Sequence, residues 1–138
     1  MERVLAKSSP LEPSAELDEL AHKVIGAAIE VHRHLGPGLL ESVYEQAFCV
    51  ELNLLEIKFR RQASVKLSYK GHHVGQGRLD LLVEDKLVVE LKAVEKLTDV
   101  HKAQVLSYLR TAGYHLGLLI NFNVRILRDG IMRLVHTA

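Results

Sequence analysis

Residues Gly77 to Ala93 read GRLDLLVEDKLVVELKA, two largely apolar runs about a polar Glu84-Asp85-Lys86 centre. That pattern predicts a β-hairpin, with strands over Val74–Val83 and Leu87–Ala93. Centring the turn on Asp85 sets Val83 opposite Leu87, Leu82 opposite Val88 and Asp80 opposite Glu90. Cross-strand partners share a face, and every second residue joins them there. Asp80, Leu82, Val88, Glu90 and Lys92 are therefore expected to project together, with Arg78 in the same row and opposite Lys92. The other face, Leu79, Leu81, Val83, Leu87, Val89 and Leu91, is wholly apolar and is the expected core side.

Two carboxylates facing each other across a strand pair repel unless a cation lies between them. Two readings follow. In the plainer one, Asp80 and Lys92 form a salt bridge and Glu90 is solvated at a strand end. In the other, a divalent cation sits between the acids. Oxygen-only ligation favours Mg²⁺ or Mn²⁺ over zinc, which prefers histidine and cysteine. Such an ion activates water and neutralises charge developing on a phosphate, and a neighbouring lysine orients the water or stabilises the transition state.

Working outward, apolar residues recur at three-and-four spacing from Leu17 to Leu35, predicting an amphipathic helix capped by Ser14 and ended by Gly36-Pro37-Gly38. A second helix is expected over Leu39–Leu54, with Leu40, Val43, Ala47, Val50 and Leu54 as its buried stripe. Residues 63–69 alternate as a strand, and Lys70-Gly71-His72 is a turn. After the hairpin, Thr98 caps a helix running to Ala112, ended by Gly113. His115–Phe122 is a nearly continuous apolar run, as in a strand buried on both faces, and Ile131–Val135 follows an Asp129-Gly130 turn. The expected fold is α/β: an antiparallel three-strand meander, a crossover helix, and a fourth strand returning parallel to the third.

The 138 residues carry a formal net charge of +1, but the charge is segregated. Up to Ile57 there are four bases against ten acids; from Lys58 onward there are fourteen against seven. Lys58, Arg60, Arg61, Lys66, Lys70 and Arg78 follow one another without an intervening acid. That stretch is either a solvated sheet face or a surface for a polyanion. A single cysteine, Cys49, suits a reducing compartment and leads to a cytoplasmic expectation. No apolar run approaches the ~18 residues of a membrane span. Residues 1–13 are expected as a flexible leader and 14–138 as one domain. The paired and clustered histidines, His32 and His34 or His72 and His73, do not suit a metal site.

With these residues in place, the chain resembles the PD-(D/E)XK nuclease superfamily through Asp80, Glu90, Leu91 and Lys92 on the second and third strands. Within it, Gly38-Leu39-Leu40-Glu41-Ser42-Val43-Tyr44 resembles the signature of the GxxExxY protein family, as do IGAAIEVHRHLGPGLLESVYEQAF, DLLVEDKLVVELKAVEKL and GLLINF. The resemblance implies an αβββαβ restriction-endonuclease-like core in a mixed sheet, helices on both faces and an extra N-terminal helix. It implies a metal-dependent nuclease acting on DNA or RNA, with Mg²⁺ or Mn²⁺ held by Asp80, Glu90, Glu41 and the Leu91 carbonyl, and Lys92 as the catalytic lysine. Gln104 and Tyr108, four apart on the crossover helix, match a Q-x-x-x-Y signature that contacts substrate, and Arg78 joins them. Leu79 departs from the pattern, where the superfamily's name has proline. Without the resemblance, Glu41 and Glu45 would read as an exposed acidic first turn complementing the helix dipole. Tyr44 is read as a packing residue whose hydroxyl orients an acid, and His101 as a residue near the cleft. The alternative is a catalytically inactive nuclease-fold module that binds nucleic acid or a protein. A chain with so little beyond its core is also expected to form a homodimer.

Overall fold

Ser14 stands in extended backbone and its hydroxyl accepts the Leu17 N–H at 3.1 Å, so the first helix begins where its capping residue predicts. The computed structural model describes residues 13–137; the leader expected over 1–13 lies outside them except for Pro13, which is buried. In chain order the elements are α1 (Ala15–Leu35), α2 (Glu41–Leu54), β1 (Phe59–Tyr69), β2 (His72–Val83), β3 (Leu87–Lys92), α3 (Asp99–Ala112), β4 (Leu116–Asn121), a short 3₁₀ turn (Leu127–Gly130) and β5 (Ile131–Val135). No helix among them is long and apolar enough to cross a membrane.

The five strands form one sheet in sequence order. β1, β2 and β3 are antiparallel, β4 runs parallel to β3, and β5 returns antiparallel to β4. Every residue of β4 is buried. Two apolar layers cover the sheet. One joins α1 and α2 to Leu81, Val83, Leu87, Val89, Leu91, Leu116, Leu118 and Ile120. The other joins Val105 and Leu109 of α3 to Ala63, Val65, Leu79, Leu82, Val88 and Leu119. Helices on both faces of a mixed sheet make this a restriction-endonuclease-like α/β fold.

Three expectations are corrected. First, the face carrying Leu82 and Val88 is core as well, because α3 covers it. Second, Leu79 belongs to the α3 layer, not with Leu81 and Leu91. The cause is a local irregularity: Arg61 pairs with Leu81 and Ala63 with Leu79, but Gln62 and Asp80 between them do not pair, and Gln62 has φ +53°. A bulge-like distortion at that level changes which residues face which layer. Third, α2 is rotated about its axis relative to the expected stripe. It buries Tyr44, Glu45, Phe48, Cys49 and Leu52, whereas Leu40, Val43, Val50 and Leu54 are exposed. An aromatic pair decides the rotation: the Tyr44 ring stacks on Phe122 at 4.7 Å, with Phe48 edge-on to the same ring.

Candidate active site

The β2–β3 ladder has the register expected from the turn, but its last backbone pair is Leu81 with Val89. Beyond it the side chains take over from the backbone. The Asp80 N–H donates to Glu90 Oε2 at 2.8 Å, and the Leu91 N–H donates to Asp80 Oδ2 at 2.8 Å. Each carboxylate thus fills the place of a carbonyl in the interrupted ladder and is held rigidly at its end. A strand residue directs its N–H and C=O to the same side, so the Leu91 carbonyl also opens toward this gap. Because pairing has ended, Arg78 is not opposite Lys92; its partner is Ser64 on β1.

Lys92 is the last residue of β3 and pairs with Asn121. Asn121 is 1% exposed, and its amide both accepts the Val94 N–H at 3.0 Å and donates to the Val94 carbonyl at 2.9 Å. That clasp fixes the chain as it leaves Lys92, while the Lys92 carbonyl accepts the Phe122 N–H at 2.9 Å. Among the described residues Lys92 has no ion-pair partner, so the simple Asp80–Lys92 salt bridge is absent.

Glu41 reaches the same region from α2. The Tyr44 hydroxyl donates to the Gly36 carbonyl at 2.5 Å and accepts the Leu39 N–H at 3.1 Å. Its contacts are therefore with the Gly36–Leu39 turn rather than with an acid, and they set the point where α2 begins. Burial raises the Glu41 pKa, the Asp80 charge raises it further, and Lys92 opposes both. Asp80 is raised by burial against the stabilising Leu91 N–H. Glu90, 5% exposed, is pushed up to about 8 by burial and then by the Asp80 charge. Three acids and a lysine thus feel one another, and the net effect on each acid favours its proton.

Two residues that drew little notice in the sequence adjoin this cluster. Glu45, 6% exposed, accepts from Arg61 Nε at 2.6 Å and from Gln62 Nε2 at 3.1 and 3.0 Å on its two oxygens. Gln62 also reaches Asp80 Oδ1 at 3.5 Å, linking Glu45 to the site. The available signal was the spacing of Glu45 from Glu41, four residues on one helical face.

Two further candidates come from α3. Gln104 is exposed, and Tyr108 is half-buried in the α3 layer with its ring over Gly77. Since Gly77 faces α3, alternation puts Arg78 on the opposite side of the sheet, so Tyr108 and Arg78 do not share a surface. His101 is occupied in capping α3, its Nδ1 accepting the Thr98 N–H at 3.0 Å.

The donor set is oxygen-only and short of positive charge, which suits a hard divalent cation in kind. As placed, however, no three His, Cys, Asp or Glu side chains among the described residues converge to hold one. A mixed sheet layered by helices, with two acids and a lysine at the end of its second and third strands, has the arrangement of a nuclease core. Residues 18–134 match the family model of the PD-(D/E)XK nuclease superfamily, and the chain belongs to that superfamily. No curated protein matches it.

Proposed function

We propose that the protein is a Mg²⁺- or Mn²⁺-dependent phosphodiesterase acting on DNA or RNA, and that it belongs to the GxxExxY group on its Gly38–Tyr44 signature. The observation that carries this reading is the paired capping of Asp80 and Glu90 at the open end of the β2–β3 ladder, beside Lys92 and Glu41. Asp80, Glu90, the Leu91 carbonyl and Glu41 are the residues that would hold the ion. When bound, it would polarise the phosphate and lower the pKa of water. Lys92, whose charge acts on Glu41, Asp80 and Glu90, would orient the attacking water and offset charge on the phosphate. Glu45, through Gln62 and Arg61, positions the α2 side of the site.

Beyond Asp80, the β1–β2 hairpin carries Ser64, Lys66, Gln76 and Arg78, all exposed and without an acid among them. They lie on the side of the sheet opposite α3, in the same row as Asp80, and supply a track for backbone phosphates. On α3, Gln104 is the exposed member of its pair for a phosphate contact, while Tyr108 holds the helix against Gly77. The reducing, Mg²⁺-containing cytoplasm is the compartment this reading assigns.

One observation favours a second reading, an inactive nucleic-acid-binding module: each paired acid already spends an oxygen on a backbone N–H, and no three ligands converge. Incubation with labelled single- and double-stranded DNA and RNA, with Mg²⁺, Mn²⁺ or EDTA, separates the two. Metal-dependent cleavage that disappears in Asp80→Ala and Glu90→Ala supports the enzyme. Binding without cleavage under any metal supports the module.

A further inference from the structure

Between Glu56 and Asp80 the chain has no acid, and within that span the β1–β2 hairpin runs on beyond the end of the β2–β3 ladder. Its last pair is Tyr69 with His72, joined by a two-residue turn in which Lys70 has φ +50° and Gly71 φ +81°. Positive φ at both positions matches the twist of the strands and sets the flanking residues directly opposite each other. One face of this ribbon is occupied: Ala63 and Val65 are buried under α3, and the Tyr108 ring lies over Gly77. The other face is open. Along β2 it carries Arg78, Gln76, Val74 and His72, every second residue back from Asp80. On β1, Ser64 pairs with Arg78 and Lys66 with Gln76. The register shift between Leu67 and Ser68 then brings Tyr69, rather than Ser68, onto this face. All of these residues are exposed, Tyr69 and Val74 at 62% each.

We infer that this face binds an unpaired nucleic-acid strand, with phosphates along Arg78 and Lys66 and bases stacked on Tyr69 and His72 at the tip. Charge and aromatic surface together select that occupant. Arg78 and Lys66 meet phosphates with no acid on the ribbon to repel them. A duplex keeps its base faces covered, so Tyr69 and Val74 would meet only its charged backbone. An unpaired strand offers the flat faces of its bases, which aromatic side chains hold without regard to sequence. The Lys70 ammonium lies 5.4 Å from the Tyr69 ring centroid and adds a cation beside the stack. Spacing agrees. Successive residues of the row stand about 6.6 Å apart, close to the step between neighbouring phosphates of an extended strand. His72 is ~26 Å from Asp80 along β2, room for about four nucleotides. The inference rests on the nuclease reading of Asp80 and Glu90 only for what is done to the strand; the binding uses neither acid.

Fluorescence anisotropy of the full chain in EDTA reads binding apart from cleavage. The probes are labelled oligodeoxythymidylate and oligouridylate of about twelve nucleotides, a blunt DNA duplex of that length, and an abasic strand that keeps the phosphates but offers no bases. The tighter-bound of the first two assigns the sugar of the strand. It should bind on the order of tenfold more tightly than the duplex or the abasic strand. Tyr69→Ala should remove most of the advantage over the abasic strand, and Tyr69→Phe should keep it, both with unchanged circular dichroism. Lys66→Gln with Arg78→Gln should weaken both strands alike and reduce the slope of log affinity against log salt by about 1.4. Absence of binding, a duplex or an abasic strand bound as tightly as the base-bearing one, or a Tyr69→Ala variant with the wild-type preference overturns the inference. Failure of the nuclease reading looks different: base-dependent binding without cleavage in Mg²⁺ or Mn²⁺ overturns that reading alone. Metal-dependent cleavage whose KM is indifferent to Tyr69→Ala overturns the inference alone.

Discussion

At the scale of single residues, Glu90 sets the pH behaviour of the metal-free protein. Its carboxyl is held at about 8 in the folded chain by burial and the Asp80 charge, against an ordinary value near 4.5 in the unfolded one. An acid with a raised folded-state pKa binds its proton more tightly when folded, so its contribution is complete below the unfolded pKa and is lost as pH rises through the folded one. With EDTA present, stability should therefore fall between about pH 5 and pH 8, by on the order of a few kcal/mol. Glu90→Gln should flatten that slope in urea titrations, and a slope unchanged in the variant would contradict the assignment. Since the proposed ion would bind the ionised cluster, Mg²⁺ or Mn²⁺ should raise the melting temperature more at pH 8 than at pH 5. Glu45 is held by an ion pair with Arg61. Arg61→Ala leaves a carboxylate that is 6% exposed with only Gln62 as donor, and should cost about 1–3 kcal/mol in chemical denaturation. Adding Glu45→Gln should return much of that loss. If the single and double variants are equally unstable, the ion pair is not the reason Arg61 matters.

Among the elements, the β1–β2 hairpin depends on a close fit to α3. A Cβ on Gly77 would lie 2.6 Å from Tyr108 Cε1. Gly77→Ala should thus destabilise by about 1–3 kcal/mol through overpacking, and by much less in a Tyr108→Leu background. Equal costs in both backgrounds would show that the ring is not the obstacle. Element ends were legible because punctuation is chemical: Ser14, Thr98 and Gly113 cap where their side chains or conformations require, and the Asp129-Gly130 signal starts β5 at Ile131. The orientation of α2 was not legible. Apolar residues surround that helix, so periodicity offers two stripes, and only the stacking of Tyr44 and Phe48 around Phe122 selects the buried one. The change of face at Gln62 was equally hidden, since a non-glycine residue at positive φ leaves no compositional mark.

For the whole molecule, net charge describes the wrong quantity. The acids of the N-terminal helices approach the basic hairpin at the candidate site, where Glu41 and Glu45 come from α2 and Asp80, Glu90 and Lys92 from the sheet. The register of the turn placed Asp80 beside Glu90 from sequence alone. That each acid caps the other's strand depends on where the ladder stops, a property of sheet twist and of the neighbouring β1 irregularity. Glu45, Gln62 and Asn121 were missed because their importance comes from tertiary burial, which spacing does not encode. Single-turnover cleavage of a labelled oligonucleotide with Mn²⁺, comparing wild type with Lys92→Met, bears most directly on the proposed chemistry. Cleavage should be EDTA-sensitive and fall by on the order of 10²–10³-fold in the variant, with its melting temperature preserved. Cleavage that persists in EDTA, or proceeds undiminished in Lys92→Met, would contradict that chemistry.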